Sequence, residues 1–285
     1  MNKRLSLLLL SLCFVTSPLF AQKKKVMFDL TPVAGYRQDN IKWTTANGSW
    51  QQWKSLQFID YGLKTETTLK DRYKIKLDLL FANVVSGNVS DNRYLAAPGS
   101  TDPLRNSLGA KGFAFRPNIA FGFNMKPLKS LDLVPQIGYA YDRLKLSAKA
   151  SGGNALNSLD NTLQWHGPYL GLDSKTKLSQ RWSMNAAANI NLAFYNASGD
   201  WKFKNNAANN TMKQNGTGYG LTGQLGLKYL VVKSVSIGAE GDMHWNHVNN
   251  GKDTRTFSNG TKNSTKSLKV NWTSFAGRVT VTKTF

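Results

Sequence analysis

The chain is poor in the residues that build redox and metal chemistry. Of 285 residues one is cysteine, Cys13, and three are histidine: His166, His244 and His247. Cys13 lies inside an N-terminal segment that reads as an export signal, so the chain left after cleavage would hold no thiol. Disulfides and cysteine nucleophiles are thereby excluded from the mature part. Cys13 follows Leu12 rather than a small residue, which argues against a lipoprotein signal. Three histidines without close spacing do not make a zinc site, and no cofactor is implied. Beyond the signal no stretch approaches the roughly 18 consecutive apolar residues of a spanning helix. Acidic residues are scarce, 16 against 37 Lys and Arg. That balance favours anionic partners such as lipid phosphates, sulfated glycans or acidic solutes. Nucleic acid fits poorly, because no nucleic-acid motif is present in an exported chain.

What is present begins with the signal itself. Lys3 and Arg4 form the basic region and Leu5 to Phe20 the mainly apolar core. Ser17-Pro-Leu-Phe-Ala21 forms a small-residue cleavage site. The expected organisation is a signal peptide over 1–21 and one domain over 22–285. Removing Lys3 and Arg4 leaves 35 basic residues against 16 acids, a mature charge of +19.

Period-2 alternation then recurs along the mature chain. Short gaps fall near Lys70-Asp-Arg72, Lys126-Pro-Leu-Lys-Ser130, Ser179-Gln-Arg181 and Val232-Lys-Ser234. Long polar gaps fall near 38–52, 86–111, 148–163, 196–217 and 247–267. Five long gaps alternating with four short ones predict an all-β fold: a closed transmembrane antiparallel barrel of ten strands. Its short turns and termini lie in the periplasm and its long loops outside. Lipid satisfies no backbone hydrogen bonds, so a chain of this hydropathy crosses a membrane only as such a barrel. The last strand alternates Phe275, Val279 and Val281 with Arg278, Thr280, Thr282 and Thr284, and ends on Phe285. It resembles the closing strand of a bacterial outer-membrane barrel.

In the fourth predicted strand Phe113, Phe115, Pro117, Ile119, Phe121 and Phe123 oppose Arg116, Asn118 and Asn124. In the seventh, Trp182, Met184, Ile190, Leu192 and Phe194 oppose Ser183, Asn185, Asn189 and Asn191. The apolar faces are expected toward lipid and the polar ones toward the lumen, the reverse of a soluble barrel. Tyr139, Tyr141, Trp182, Tyr229, Trp245 and Trp272 are expected in aromatic girdles. Parity assigns to the lumen Asp60, Lys64, Glu66, Lys74, Lys76, Asp78, Arg116, Asp132, Asp142, Asp173, Lys175, Lys228, Glu240, Asp242, His244 and Arg278. Such a set is either a network of paired charges that plugs a narrow barrel or a charged conduction path. Ten strands barely exceed the size whose interior side chains fill, which favours the plug.

Ten strands, this length and tall outer loops resemble the omptins, the outer-membrane aspartate-histidine proteases. Val84-Val-Ser-Gly-Asn-Val-Ser-Asp91 is similar to the end of their third strand. Gly138-Tyr-Ala-Tyr-Asp-Arg143 is similar to their fifth strand, Pro168-Tyr-Leu-Gly-Leu172 to the sixth, and Phe275 to Phe285 to the tenth. The chain is also similar, in being a basic barrel, to the outer-membrane proteins of environmental chlamydiae, some of them porins, although no motif carries that second likeness. The omptin resemblance implies an Asp-x-Asp on one rim and an Asp-x-His on the other, flanking a water. Asp91 matches the first aspartate, but Arg93 stands at the second. Trp201 and Phe203 fall at the opposite pair, where Asp200 enters only by a one-residue shift. No histidine lies between His166 and His244, so the general base is missing. Asp242-Met-His244 places two side chains on one face of a strand. It is either an unusual dyad near Glu240 or, the favoured reading, a lumen histidine satisfied by a neighbouring carboxylate. His166 and His247 read as rim residues. The resemblance further implies a lipopolysaccharide phosphate site, of which Tyr139 and Arg143 remain, with Lys145 beside them.

The expectation is therefore a monomeric, non-enzymatic surface barrel contacting outer-membrane lipid, lipopolysaccharide or other polyanions. A narrow porin for small anions, or a protease built from Asp91, Asp200, Asp242 and His244, are the alternatives.

Overall fold

A computed structural model describes residues 26–46, 48–91, 108–149, 156–203, 210–257 and 259–285. The expected signal peptide and Arg93 lie outside them. The strands are β1 (Val26–Thr44), β2 (Trp50–Leu69), β3 (Tyr73–Asp91), β4 (Leu108–Phe123), β5 (Met125–Leu128), β6 (Leu131–Lys149), β7 (Leu156–Lys177), β8 (Trp182–Phe203), β9 (Asn210–Val232), β10 (Val235–Thr256) and β11 (Lys262–Thr284). Every neighbouring pair is antiparallel. β1 pairs with β11 to close the sheet, and β4 pairs with β6. β5 is a four-residue stub that follows β4 after Asn124. The barrel thus has ten long strands, as the gap rhythm predicts, and no free edge in the membrane.

Below, the faces follow the expected parity. Ile119, Phe121, Ile137, Leu170, Ile190, Leu225 and Val279 are exposed on the outer wall, where lipid would cover them. Asp60, Lys74, Asp142, Glu240 and Arg278 are buried in the lumen. Ring pairs such as Tyr73–Phe123 at 5.8 Å and Trp182–Tyr229 at 5.0 Å mark the periplasmic girdle.

The long gaps need correction. The long strands run to between 16 and 23 residues, about twice the 9–11 that a crossing strand needs. β1 ends at Thr44 and β2 begins at Trp50, so most of 38–52 is strand; β10 and β11 likewise take up most of 247–267. The polar residues read as loops are the outer face of a wall that stands above the lipid. There Lys42, Lys54, Lys111, Lys145, Lys213, Lys252 and Lys269 face water. Ile41, Trp43, Trp53, Leu144, Leu163, Trp201 and Val270 face inward and are buried. The upper half is apolar inside and polar outside because water has replaced lipid as its solvent. Trp272 is a second correction: it is 0% exposed and sits in this core, not in a girdle.

Bulges accompany the change of solvent. On β2 the inward set passes from Asp60, Phe58 and Leu56 to Trp53 and Gln51, across Ser55 at φ +51°. The Ser55 N–H donates to Asn40 Oδ1 at 2.9 Å. Gly87 at φ +150° and Asn250 at φ +58° mark similar register shifts on β3 and β10. An extra residue at a bulge flips the parity of everything beyond it.

Candidate functional site

The interior is stacked in three layers. Nearest the periplasm, Lys74 lies 2.5 Å from Glu66, and Lys76 bridges Glu66 at 3.7 Å and also pairs with Asp173. These residues line a cavity of about 150 Å3. Lys228 reaches Thr282 Oγ1 at 3.1 Å in the same layer.

The middle layer is a belt of arginines and carboxylates. Arg278 holds Asp60 at 2.6 Å and Glu240 at 3.4 Å, and it also pairs with Asp242. Lys64 pairs with Glu240 from the other side. Arg116 Nε meets Asp142 at 2.5 Å. Arg37 and Asp39, both fully buried, pair at 3.1 Å, and the guanidinium stacks 4.2 Å from the Phe58 ring. Parity places Arg37 and Asp39 in the lumen with Val33 and Ile41, but a polar gap drawn from residue 38 hid the pair. A cavity of about 120 Å3 lies at this level beside Arg116, Asp142 and His244.

The top layer is apolar. Trp165 lies 4.5 Å from Tyr195 and 5.9 Å from Trp272, ring to ring. The Trp43 indole donates to the Tyr195 hydroxyl at 2.6 Å, and that hydroxyl donates to Gln214 at 2.9 Å. Trp53 and Trp201 complete a core with Leu146, Leu159 and Leu268.

The residues expected to carry chemistry are dispersed across this stack. Asp91 ends β3 opposite Gln51. Asp200 is exposed on the outer wall, directly opposite Asp160 of β7. It is turned away from the lumen and cannot act with His244. Trp201 occupies the inward place, 2% exposed. Asp242 is engaged by Arg278. His244 contacts Asn246 at 2.7 Å, the Thr222 hydroxyl at 3.1 Å and Arg116 at 3.5 Å, and packs 4.9 Å from Trp272. Its neighbours are amide, hydroxyl and guanidinium: it is a lumen histidine satisfied by neighbours, as the favoured reading holds, although they are not the carboxylate that reading supplies. His166 and His247 are on the outer wall among aromatics, in the middle of β7 and β10 rather than in loops or at the rim.

The proposed anion contacts share one outward face of β6. Tyr139 hydroxyl lies 2.6 Å from His166 Nδ1, and Tyr141 lies 6.3 Å from the same ring. Arg143 stands one step above them, with no hydrogen-bond partner for its Nε. Lys145 is exposed above Arg143.

A family model described as Pom, Protochlamydia outer membrane protein, matches residues 33–285. The chain belongs to that family. Membership and the closed barrel place it in the bacterial outer membrane. The fold is also similar to that of the outer-membrane protease OmpT of Escherichia coli, at TM-score 0.72 and 12% identity, covering 95% of this chain and 99% of OmpT. Identity that low shows a shared fold alone. The translocator domain of the autotransporter NalP from Neisseria meningitidis matches at TM-score 0.37 and 10% identity, over 98% of this chain and 95% of that domain. The P. putida toluene transporter TodX matches at 0.34 and 10%, over 93% and 91%. A search of curated proteins finds no match. The chain therefore joins membership of that family with an omptin-like fold.

Proposed function

We propose that this barrel is a monomeric, non-enzymatic surface protein of the outer membrane that binds lipopolysaccharide or a similar polyanion on its outer wall. The observation that carries the reading is the inversion of the upper half. Five indoles and their aliphatic neighbours fill the interior at the height of an omptin cleft, while lysines cover the outside. Among the described residues only Asp160 and Asp200 set acidic charge on that extracellular wall. Lipid phosphates beside Tyr139, Arg143 and Lys145 would meet an aromatic shelf below and cations above, and a charge at that depth is tolerable only if it reaches a headgroup.

Residues 1–21 are removed on export in this reading, so the mature chain starts at Gln22. N-terminal sequencing of the purified protein checks that start.

Refolded barrel mixed with purified lipopolysaccharide tests the binding. Arg143→Gln with Lys145→Gln should weaken it about thirtyfold, since each cation near an anionic surface contributes about 1 kcal/mol. Unchanged affinity would sink the assigned site. The enzyme alternative is tested on the same sample with a fluorogenic dibasic peptide. No turnover is expected, and turnover abolished by His244→Ala would restore the protease.

A further inference from the structure

The periplasmic end carries a second basic surface that the outward wall does not explain. Each of the four short turns exposes cations: Arg72 between β2 and β3, Lys126 and Lys129 around β5, Arg181 before β8, and Lys233 between β9 and β10. Lys283 adds another beside the β1–β11 seam. Among the described residues of these turns Asp71 is the one acid. The cations therefore encircle the barrel rather than gather on one side.

Their neighbours indicate what they meet. The same turns and the last residue expose large apolar side chains: Leu128 at 62%, Leu178 at 55%, Val232 at 57% and Phe285 at 65%. A turn immersed in water would gain nothing from such residues, whereas one seated at the headgroup boundary buries them among acyl chains. The cations also lean on the lipid-facing girdle. Arg181 donates to the Tyr229 hydroxyl at 2.9 Å, and Lys283 Nζ lies 5.8 Å from the Phe285 ring. Apolar stems held in lipid with charged heads at the phosphate level is the arrangement of snorkelling basic residues.

We propose that this end of the barrel is a ring-shaped binding surface for anionic phospholipid headgroups of the periplasmic leaflet. A zwitterionic lipid brings its own ammonium group to the ring, and an anionic one does not, so the ring selects the anionic lipid. An acidic cell-wall polymer would answer the charge but leave the leucines and Phe285 in water.

Trp182 reports on the site, being exposed on the lipid face and 5.0 Å from Tyr229. Full-length refolded barrel would be placed in phosphatidylcholine vesicles doped with equal fractions of brominated phosphatidylglycerol or brominated phosphatidylcholine. The Trp182 contribution is the difference between the natural protein and Trp182→Phe. Bromine on the anionic lipid should be enriched at Trp182 by about fivefold, the effect of one cation's worth of attraction. The combined variant Arg181→Gln, Lys126→Gln, Lys129→Gln and Lys233→Gln should abolish that preference, and Lys269→Gln on the outer half should leave it intact. If the combined variant fails to show heat-dependent gel mobility, Arg181→Gln alone is read in its place. Equal quenching by the two lipids, or a preference that the ring variant retains, would overturn the proposal even if the protein sediments with cell-wall sacculi.

Discussion

Arg278 holds three carboxylates, from Asp60, Glu240 and Asp242, in a largely buried belt. Removing one partner of a buried ion network costs far more than the network contributes, because the remaining charges stay desolvated and unpaired. Arg278→Met should lower stability by about 3–5 kcal/mol, read as a fall in the urea midpoint of the refolded barrel. An unchanged midpoint would mean that water already reaches the belt. In the top layer the term is cavity rather than charge. Trp43→Ala removes an indole with no exposed surface and strips Tyr195 of its donor. It should cost about 3–5 kcal/mol and shift intrinsic fluorescence less than loss of exposed Trp182 does.

Among the elements, β2 is the clearest case of a strand that serves two solvents. Its lower part points charges inward, its upper part tryptophan, and Ser55 makes the change in a left-handed conformation. A β-branched residue there is strained and glycine is not. Ser55→Val should destabilise by about 1–3 kcal/mol and Ser55→Gly by little, with thermal gel shifts as the readout; equal effects would refute a conformational role. The same strand shows what a sequence can and cannot reveal. Strand count, closure and the lower lumen set, from Asp60 to Arg278, follow from alternation alone. The upper wall does not, because alternation of Ile41-Lys42-Trp43 looks like a polar loop when lipid is assumed outside. Trp272 is ambiguous for a related reason: an aromatic near a strand end suits a girdle and a capped core equally, and only its parity with Arg278 separates them. Arg37 and Asp39 fall at the edge of a gap defined by polarity. Which neighbours satisfy His244 is beyond the reach of alternation, since the pairing of Asp242 with Arg278 is a matter of side-chain packing.

At the scale of the whole molecule, the described residues fill the interior in three stacked layers, with cavities of about 120 and 150 Å3 among the charged side chains. The refolded barrel in a planar bilayer should therefore show no single-channel steps, and regular steps would revive the anion-porin alternative. The wall, in turn, has its own vertical order: basic turns, girdle, apolar band, girdle, lysines. Moving the barrel up would drag Phe275 and Leu192 into water, and moving it down would drive Lys42, Lys145 and Lys269 into hydrocarbon. Both displacements are costly, so the sheet behaves as a ruler graduated at each end. A bilayer thinner or thicker than the graduated interval must deform around the barrel, since tilting a closed barrel relieves one side only by worsening the other. The membrane, rather than the protein, is the compliant partner.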